Sequence, residues 1–189
     1  MSIMEYIVFN TREEFRNWLI TNSKKEKEIW VPVQRKRPTK DSFTYLDAVE
    51  EALCFGWIDS IQKKDNGVSI QRFSPRKKNS PWTELNKERA RRLIKLGLMT
   101  KEGRKVLPPL GKNSFVIDDD ILNALRKAKC VRKFKAFHPL YQRVRAYNVA
   151  FYKRISDEAF KKGLDHFIEE TKKGKMYGNW NDYGRLLNY

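Results

Sequence analysis

The pair Asn66-Gly67 constrains this chain more than any other two residues. It stands between two runs of alternating character, Trp57 to Lys63 and Val68 to Ser74. A two-residue Asn-Gly turn takes positive φ at both positions and suits the right-handed twist of the strands it joins. The spacing therefore predicts a β-hairpin closed around Asp65-Asn66-Gly67. Side chains alternate faces along a strand, so Trp57, Asp59 and Ile61 share one face. With a two-residue turn, Val68, Ile70 and Arg72 share that face across the hairpin. Ile61 then sits opposite Arg72. Asp59 becomes the diagonal neighbour of Arg72, within reach of its guanidinium.

A helix should lead into this hairpin. Thr44-Tyr45-Leu46-Asp47 supplies an N-cap and an acid at the third helical position. Tyr45, Val49, Ala52, Leu53 and Phe55 fall on one side at helical spacing, while Asp47, Glu50 and Glu51 fall opposite. That placement reads as a solvated face, not as a set of catalytic carboxylates. Gly56 suits the residue just past the helix end. Upstream, Tyr6 to Phe9 reads as a short strand, and Thr11-Arg12-Glu13-Glu14 opens a helix to about Thr21 that buries Phe15, Trp18 and Leu19. Ile29 to Val33 reads as a strand, and Pro32 places it at a sheet edge or a bulge.

From Trp82 the pattern turns helical. Thr83 caps a helix ending at Gly97, and a short turn of helix follows Thr100. Pro108-Pro109 and Gly111 make a linker. Further helices cover about Asp118 to Ala128, Val131 to Phe137, Pro139 to Arg154 and, capped by Ser156, Asp157 to Lys173. The expected fold class is α+β: a small mixed sheet with hairpin and helices, then a mostly helical C-terminal part. A core over residues 1–107 and a helical region over 113–189 packed on it form two domains or one.

Two polar residues stand out in the helix after Thr83. Glu84, Lys87, Glu88, Arg91, Arg92 and Lys95 form its charged, outward side. Asn86 and Arg89 fall instead with Leu85, Leu93 and Leu96, facing inward. A buried arginine must be paired or face a ligand. Trp57, Asp59, Arg72, Arg76, Ser80, Trp82, Asn86 and Arg89 therefore form the candidate site. Two readings stay open. Asp59, Arg72 and Arg89 form an internal ion network that pins hairpin to helix, or the arginines hold a carboxylate or phosphate in a pocket.

The formal net charge is +17. Residues 81–189 carry +13 of it. Such a balance attracts polyanions or phosphorylated small molecules. No apolar run is long enough to span a membrane, and the N-terminus lacks a secretion pattern. Cys54 and Cys130 belong to no metal or redox motif, which fits a reducing cytoplasm. His138 and His166 lie apart from any ligand spacing, so neither metal nor cofactor is expected.

Three segments carry a family resemblance: "TYLDAVEEALCFGWIDS", "RFSPRKKNSPWTELNKERARRLIKLGLMTKEG" and "DDDILNALRKAK". They resemble the YdeI/OmpD-associated bacterial family, also called bacteriocin-protection proteins, most closely over residues 44–103. The resemblance implies a bacterial stress or antimicrobial-peptide tolerance factor and no defined reaction. Its motif residues coincide with the candidate site.

The leading expectation is thus a binding protein with an arginine-rich anion pocket. Nucleic-acid binding through the C-terminal helices is the alternative, because Lys127, Lys129, Arg132, Lys133, Lys135, Arg143, Arg145, Lys153, Arg154, Lys161 and Lys162 interleave with aromatics. A third is an enzyme acting on an anionic small molecule, with Asp59 as general base.

Overall fold

The computed structural model describes residues 5–39, 42–111 and 114–189. Its elements are α1 (Arg12–Asn22), β1 (Ile29–Pro32), α2 (Tyr45–Cys54), β2 (Trp57–Asp65), β3 (Val68–Pro75), α3 (Glu84–Lys95), α4 (Lys101–Lys105), α5 (Asp119–Lys127), α6 (Val131–Ala136), α7 (Pro139–Phe151) and α8 (Asp157–Lys172). The fold is α+β. Two compact units make it up: residues 1–81 with 89–108, and residues 82–88 with 109–189.

The first unit is built on a sheet in the order β1-β3-β2 whose two strand pairs are both antiparallel, so it is not the mixed sheet expected from the sequence. The hairpin turn is as the sequence requires, with φ of +47° at Asn66 and +83° at Gly67. β1 is an edge strand, which accommodates the missing N–H of Pro32. Tyr6 to Phe9 is not a strand. The segment makes a backbone bond from Ile7 N–H to the Trp30 carbonyl, 3.0 Å, without a ladder.

Helix α1 starts where Thr11 accepts from the Glu14 N–H. The Glu14 carboxylate accepts from Asn10 N–H, so its reach extends one residue beyond an ordinary capping box. In α2 the box is complete, with Thr44 and Asp47 reciprocally bonded. Phe15 anchors the core of this unit. Its ring meets those of Phe9, Phe43 and Phe73, and Trp18 meets Trp57 edge-on.

The acidic face of α2 is the main departure from the sequence reading. Asp47, Glu50 and Glu51 are buried, at 4%, 0% and 2% exposure. Arg12 Nη1 donates to Glu50 and Arg12 Nε to Glu51. Arg16 Nη1 reaches Glu51 at 2.7 Å, and Arg92 Nη1 reaches Glu50 at 2.8 Å. Four arginine contacts to two carboxylates replace the water that a helix wheel assumes on the polar side. Burial works against the Arg12 charge, yet Glu51 and Glu50 outweigh it and raise the Arg12 pKa.

The outward side assigned to α3 is also partly wrong. Glu84 and Glu88 are buried, whereas Leu96 is exposed. Within the second unit Lys87 bonds Glu84 at 2.7 Å and Arg143 bonds Glu88 at 3.0 Å. Tyr189 Oη also donates to Glu88. The inward placement of Asn86 and Arg89 holds, each being 8% exposed.

The remaining core of the second unit gathers Ile121, Leu125, Phe134, Tyr141, Val144 and Phe167. Helix α7 stops at Phe151, three residues short of the expected end, and Tyr152–Arg154 tighten into a 3-10 turn. Among the described residues no helix is long and apolar enough to cross a membrane. None of their His, Cys, Asp and Glu side chains group into a metal-holding cluster.

Both cysteines are free and buried. Burial, with the charge of Glu51, pushes the Cys54 thiol up to about 12. Burial raises Cys130 as well. Thiolate is the reactive form, so both should resist alkylation at pH 8. Titration with a disulfide reagent should find less than about one-tenth of the thiol signal before denaturant is added and all of it afterwards. A prompt native-state reaction would contradict the packing of α2 and α6.

Candidate functional site

The site grows from an irregularity in the hairpin. From Asp65↔Val68 to Gln62↔Gln71 the strands keep the register the turn dictates. The pairing then shifts, and the next partners are Asp59↔Phe73. Ser60 and Ile61 together oppose Arg72, which is a β-bulge. A one-residue slip sends every side chain beyond it to the other face. Trp57 and Asp59 therefore share a face with Gln71 and Phe73, and with Ile29 and Val31 of β1. Arg72 lies on the opposite face beside Trp30.

This separates the expected Asp59–Arg72 pair. Arg72 instead donates through Nε and Nη2 to Glu28, at 2.8 and 2.6 Å, and through Nη1 to Ser60. The hydrogen bond from Arg72, with one from Trp30, lowers the Glu28 pKa. Asp59 accepts from the Tyr45 hydroxyl at 2.5 Å. The carboxylate is half-buried, and its other oxygen accepts no hydrogen bond among the described residues.

Tyr45 is placed by the first turn of α2, where its N–H donates to the Gln34 carbonyl at 3.0 Å. The exposed Arg35 guanidinium lies 3.7 Å from the centre of its ring. That stacking is a cation–π contact. Arg35 Nη2 also donates to Gln71 Oε1 at 3.3 Å. Burial raises the Tyr45 pKa first, and the Asp59 charge adds to it, while the charges of Arg35 and Arg89 oppose. The phenol therefore stays protonated and serves as a donor. A tyrosinate nucleophile is disfavoured here.

Other members of the sequence-derived set are held in place by the fold. Trp57 is a core side chain, with Nε1 donating to the Ser23 carbonyl at 3.2 Å. Arg76 donates to Ser80 Oγ and to the Pro81 carbonyl, at 3.1 and 3.0 Å, which fixes the loop after β3. Trp82 and Asn86 belong to the second unit, and the Asn86 N–H caps on Thr83 Oγ1. In the first unit Asp59 thus bonds Tyr45, the charge of Arg89 acts on the same phenol, and Arg72 pairs with Glu28 instead.

Sequence reasoning missed Tyr45, Arg35 and Gln71. By helical phase Tyr45 reads as one of the apolar residues of α2. The available signal was its position, one residue after an N-cap, where a side chain projects past the helix end.

The first unit is an α+β domain whose covered sheet face carries a Tyr45–Asp59 pair under an arginine. Residues 7–106 match the model of a family described as "Domain of unknown function (DUF8412)", and the chain belongs to that family. No curated protein matches the chain. No solved structure matches it either.

Proposed function

We propose that the first unit binds a small anionic ligand that also carries a hydrogen-bond donor, such as a hydroxy or amino acid or its phosphate ester. One observation carries this reading. The Asp59 carboxylate has one oxygen satisfied by Tyr45 and the other open. The exposed Arg35 guanidinium is stacked on the same tyrosine. Asp59 would take the donor, and Arg35 would take the acid group through its planar fork. Arg89, the other cation acting on Tyr45, would add to the field. The resemblance over residues 44–103 supports a further proposal, that this binding serves tolerance of antimicrobial peptides in a bacterial cell.

The test is thermal melting with phosphate, citrate, free amino acids and nucleoside monophosphates. At a concentration tenfold above Kd a ligand should stabilise by about 1.4 kcal/mol. For a chain of this size that is a rise of roughly 3–5 °C in Tm. Arg35→Ala and Asp59→Asn should each abolish the rise while melting near the wild-type temperature, since Arg35 is exposed and asparagine keeps an acceptor for Tyr45. A panel with no shift for any compound sinks the proposal. The tolerance role is tested separately, by expressing the protein in a peptide-sensitive bacterium. Equal killing with and without it removes that part alone.

A further inference from the structure

The sequence spreads its positive charge along the C-terminal half, but the fold concentrates it. Residues 126–135 hold six cations and no acid, and all six side chains are exposed. A second run, Lys172, Lys173 and Lys175, is also exposed. The two runs lie far apart in the chain and meet in space. Phe134 of α6 packs edge-on against Phe167 of α8, with ring centres 5.6 Å apart. Lys133 Nζ donates to the Lys172 carbonyl. The turn between α5 and α6 is held by Lys129 in the left-handed region, φ +56°.

Acids neutralise the second run in part and leave the first uncompensated. Glu169 and Glu170 are occupied by Lys173, at 2.7 and 3.0 Å, with Lys175 at 3.9 Å from Glu170. Asp119 and Asp120 begin α5, at the far end of that helix from Lys127. The cations of the 126–135 run form no ion pair with an acid among the described residues, and Arg126 bonds only the Asn123 side chain. Cations at the ends of α5 and α8 complement the helix dipoles. Lys133 and Lys135 do the same at the end of α6, whereas Lys129 and Arg132 exceed that need. Like charges held together repel, and a regular array of phosphates relieves the repulsion.

We propose that the face formed by the α5–α6 turn and the end of α8 binds the phosphodiester backbone of nucleic acid without reading its sequence. A lipid surface is the weaker fit. Within the 126–135 run the apolar side chains Cys130 and Phe134 are buried, and no large one protrudes to enter a bilayer. This inference does not rest on the Asp59 site, which lies in the other unit.

Fluorescence anisotropy with a labelled duplex of roughly 20 base pairs tests it, across salt from about 50 to 200 mM. Four to five phosphate contacts should give a slope of log K on log salt near −4. The triple variant Lys129→Glu, Arg132→Glu, Lys135→Glu should weaken binding by at least about 100-fold at the low-salt end and flatten the slope by about 3. A control, Lys36→Glu, Lys77→Glu, Lys78→Glu, changes net charge equally at exposed sites of the first unit. It should leave affinity within about threefold. No binding at about 50 mM salt overturns the proposal. So does equal weakening by both triples, which would mean diffuse attraction. Binding to vesicles with about a quarter phosphatidylglycerol, but not to the duplex, overturns it in favour of a membrane. Circular dichroism of each variant keeps a folding failure from being read as lost binding.

Discussion

Replacing Glu50 by alanine is expected to destabilise the protein by roughly 3–5 kcal/mol. The Glu50 side chain is fully buried. It accepts from Arg12 Nη1 at 2.7 Å and from Arg92 Nη1 at 2.8 Å. Truncation removes the negative charge shared by two guanidinium groups. Those groups keep their own charge, because arginine does not deprotonate in proteins. Arg12 and Arg92 retain 30% and 16% of their side-chain exposure. Water can therefore reach part of each, which places the loss toward the lower bound. Glu50→Gln keeps the shape and one acceptor but not the charge, and should lose about half as much. Surface pairs fade with salt, whereas buried pairs do so far less. Urea unfolding at low and high salt should thus return nearly the same difference. A loss within about 1 kcal/mol would mean that the carboxylates of α2 are solvated after all. A cycle with Arg92→Ala would then show little coupling.

That cluster also marks where the sequence stopped being legible. Helical phase shows which side of α2 is apolar. It does not show what covers the other side. The missing signal lay in α1, where Arg12 and Arg16 stand four apart and so share a face. Two arginines at that spacing match two adjacent carboxylates, but the match becomes visible only once α1 and α2 are known to pack. Features that depend on neighbours in sequence were readable. Thr44 with Asp47 gave the start of α2, Asn66-Gly67 gave the hairpin, and the leucine phase of α3 placed Arg89 and Asn86 inside. The bulge was not readable. Ser60 and Ile61 carry no glycine or other mark of an extra residue, yet that residue decides which face Asp59 occupies. The Asp59–Arg72 pair failed for this reason alone, and Tyr45 took the place of Arg72.

Gly103→Ala is expected to destabilise by roughly 3–5 kcal/mol, against the sign that helix propensity gives. Alanine in a helix interior is ordinarily better than glycine by about 1 kcal/mol. Here a Cβ would stand 2.3 Å from the Cys54 carbonyl oxygen, 2.8 Å from its carbon and 2.5 Å from Met99 Sδ. The sulfur can swing away. The carbonyl cannot, because it ends α2 and accepts from both Thr100 N–H, at 3.1 Å, and Thr100 Oγ1, at 2.6 Å. Thr100 in turn caps α4 by accepting from Gly103 N–H at 3.2 Å. One methyl group therefore acts on a closed loop of contacts between the end of α2 and the start of α4. Relief requires α4 to move outward, which breaks the Thr100 bonds and exposes Met99 and Cys54. Gly111 supplies the control, since a Cβ there meets nothing within 4 Å. Gly111→Ala should stay within about 0.5 kcal/mol of the parent. Urea midpoints for the two variants separate the outcomes. A Gly103→Ala protein as stable as its parent would show that α4 does not approach α2 this closely. The Cys54 thiol of that variant should also become alkylatable, because the helix that seals it has been displaced.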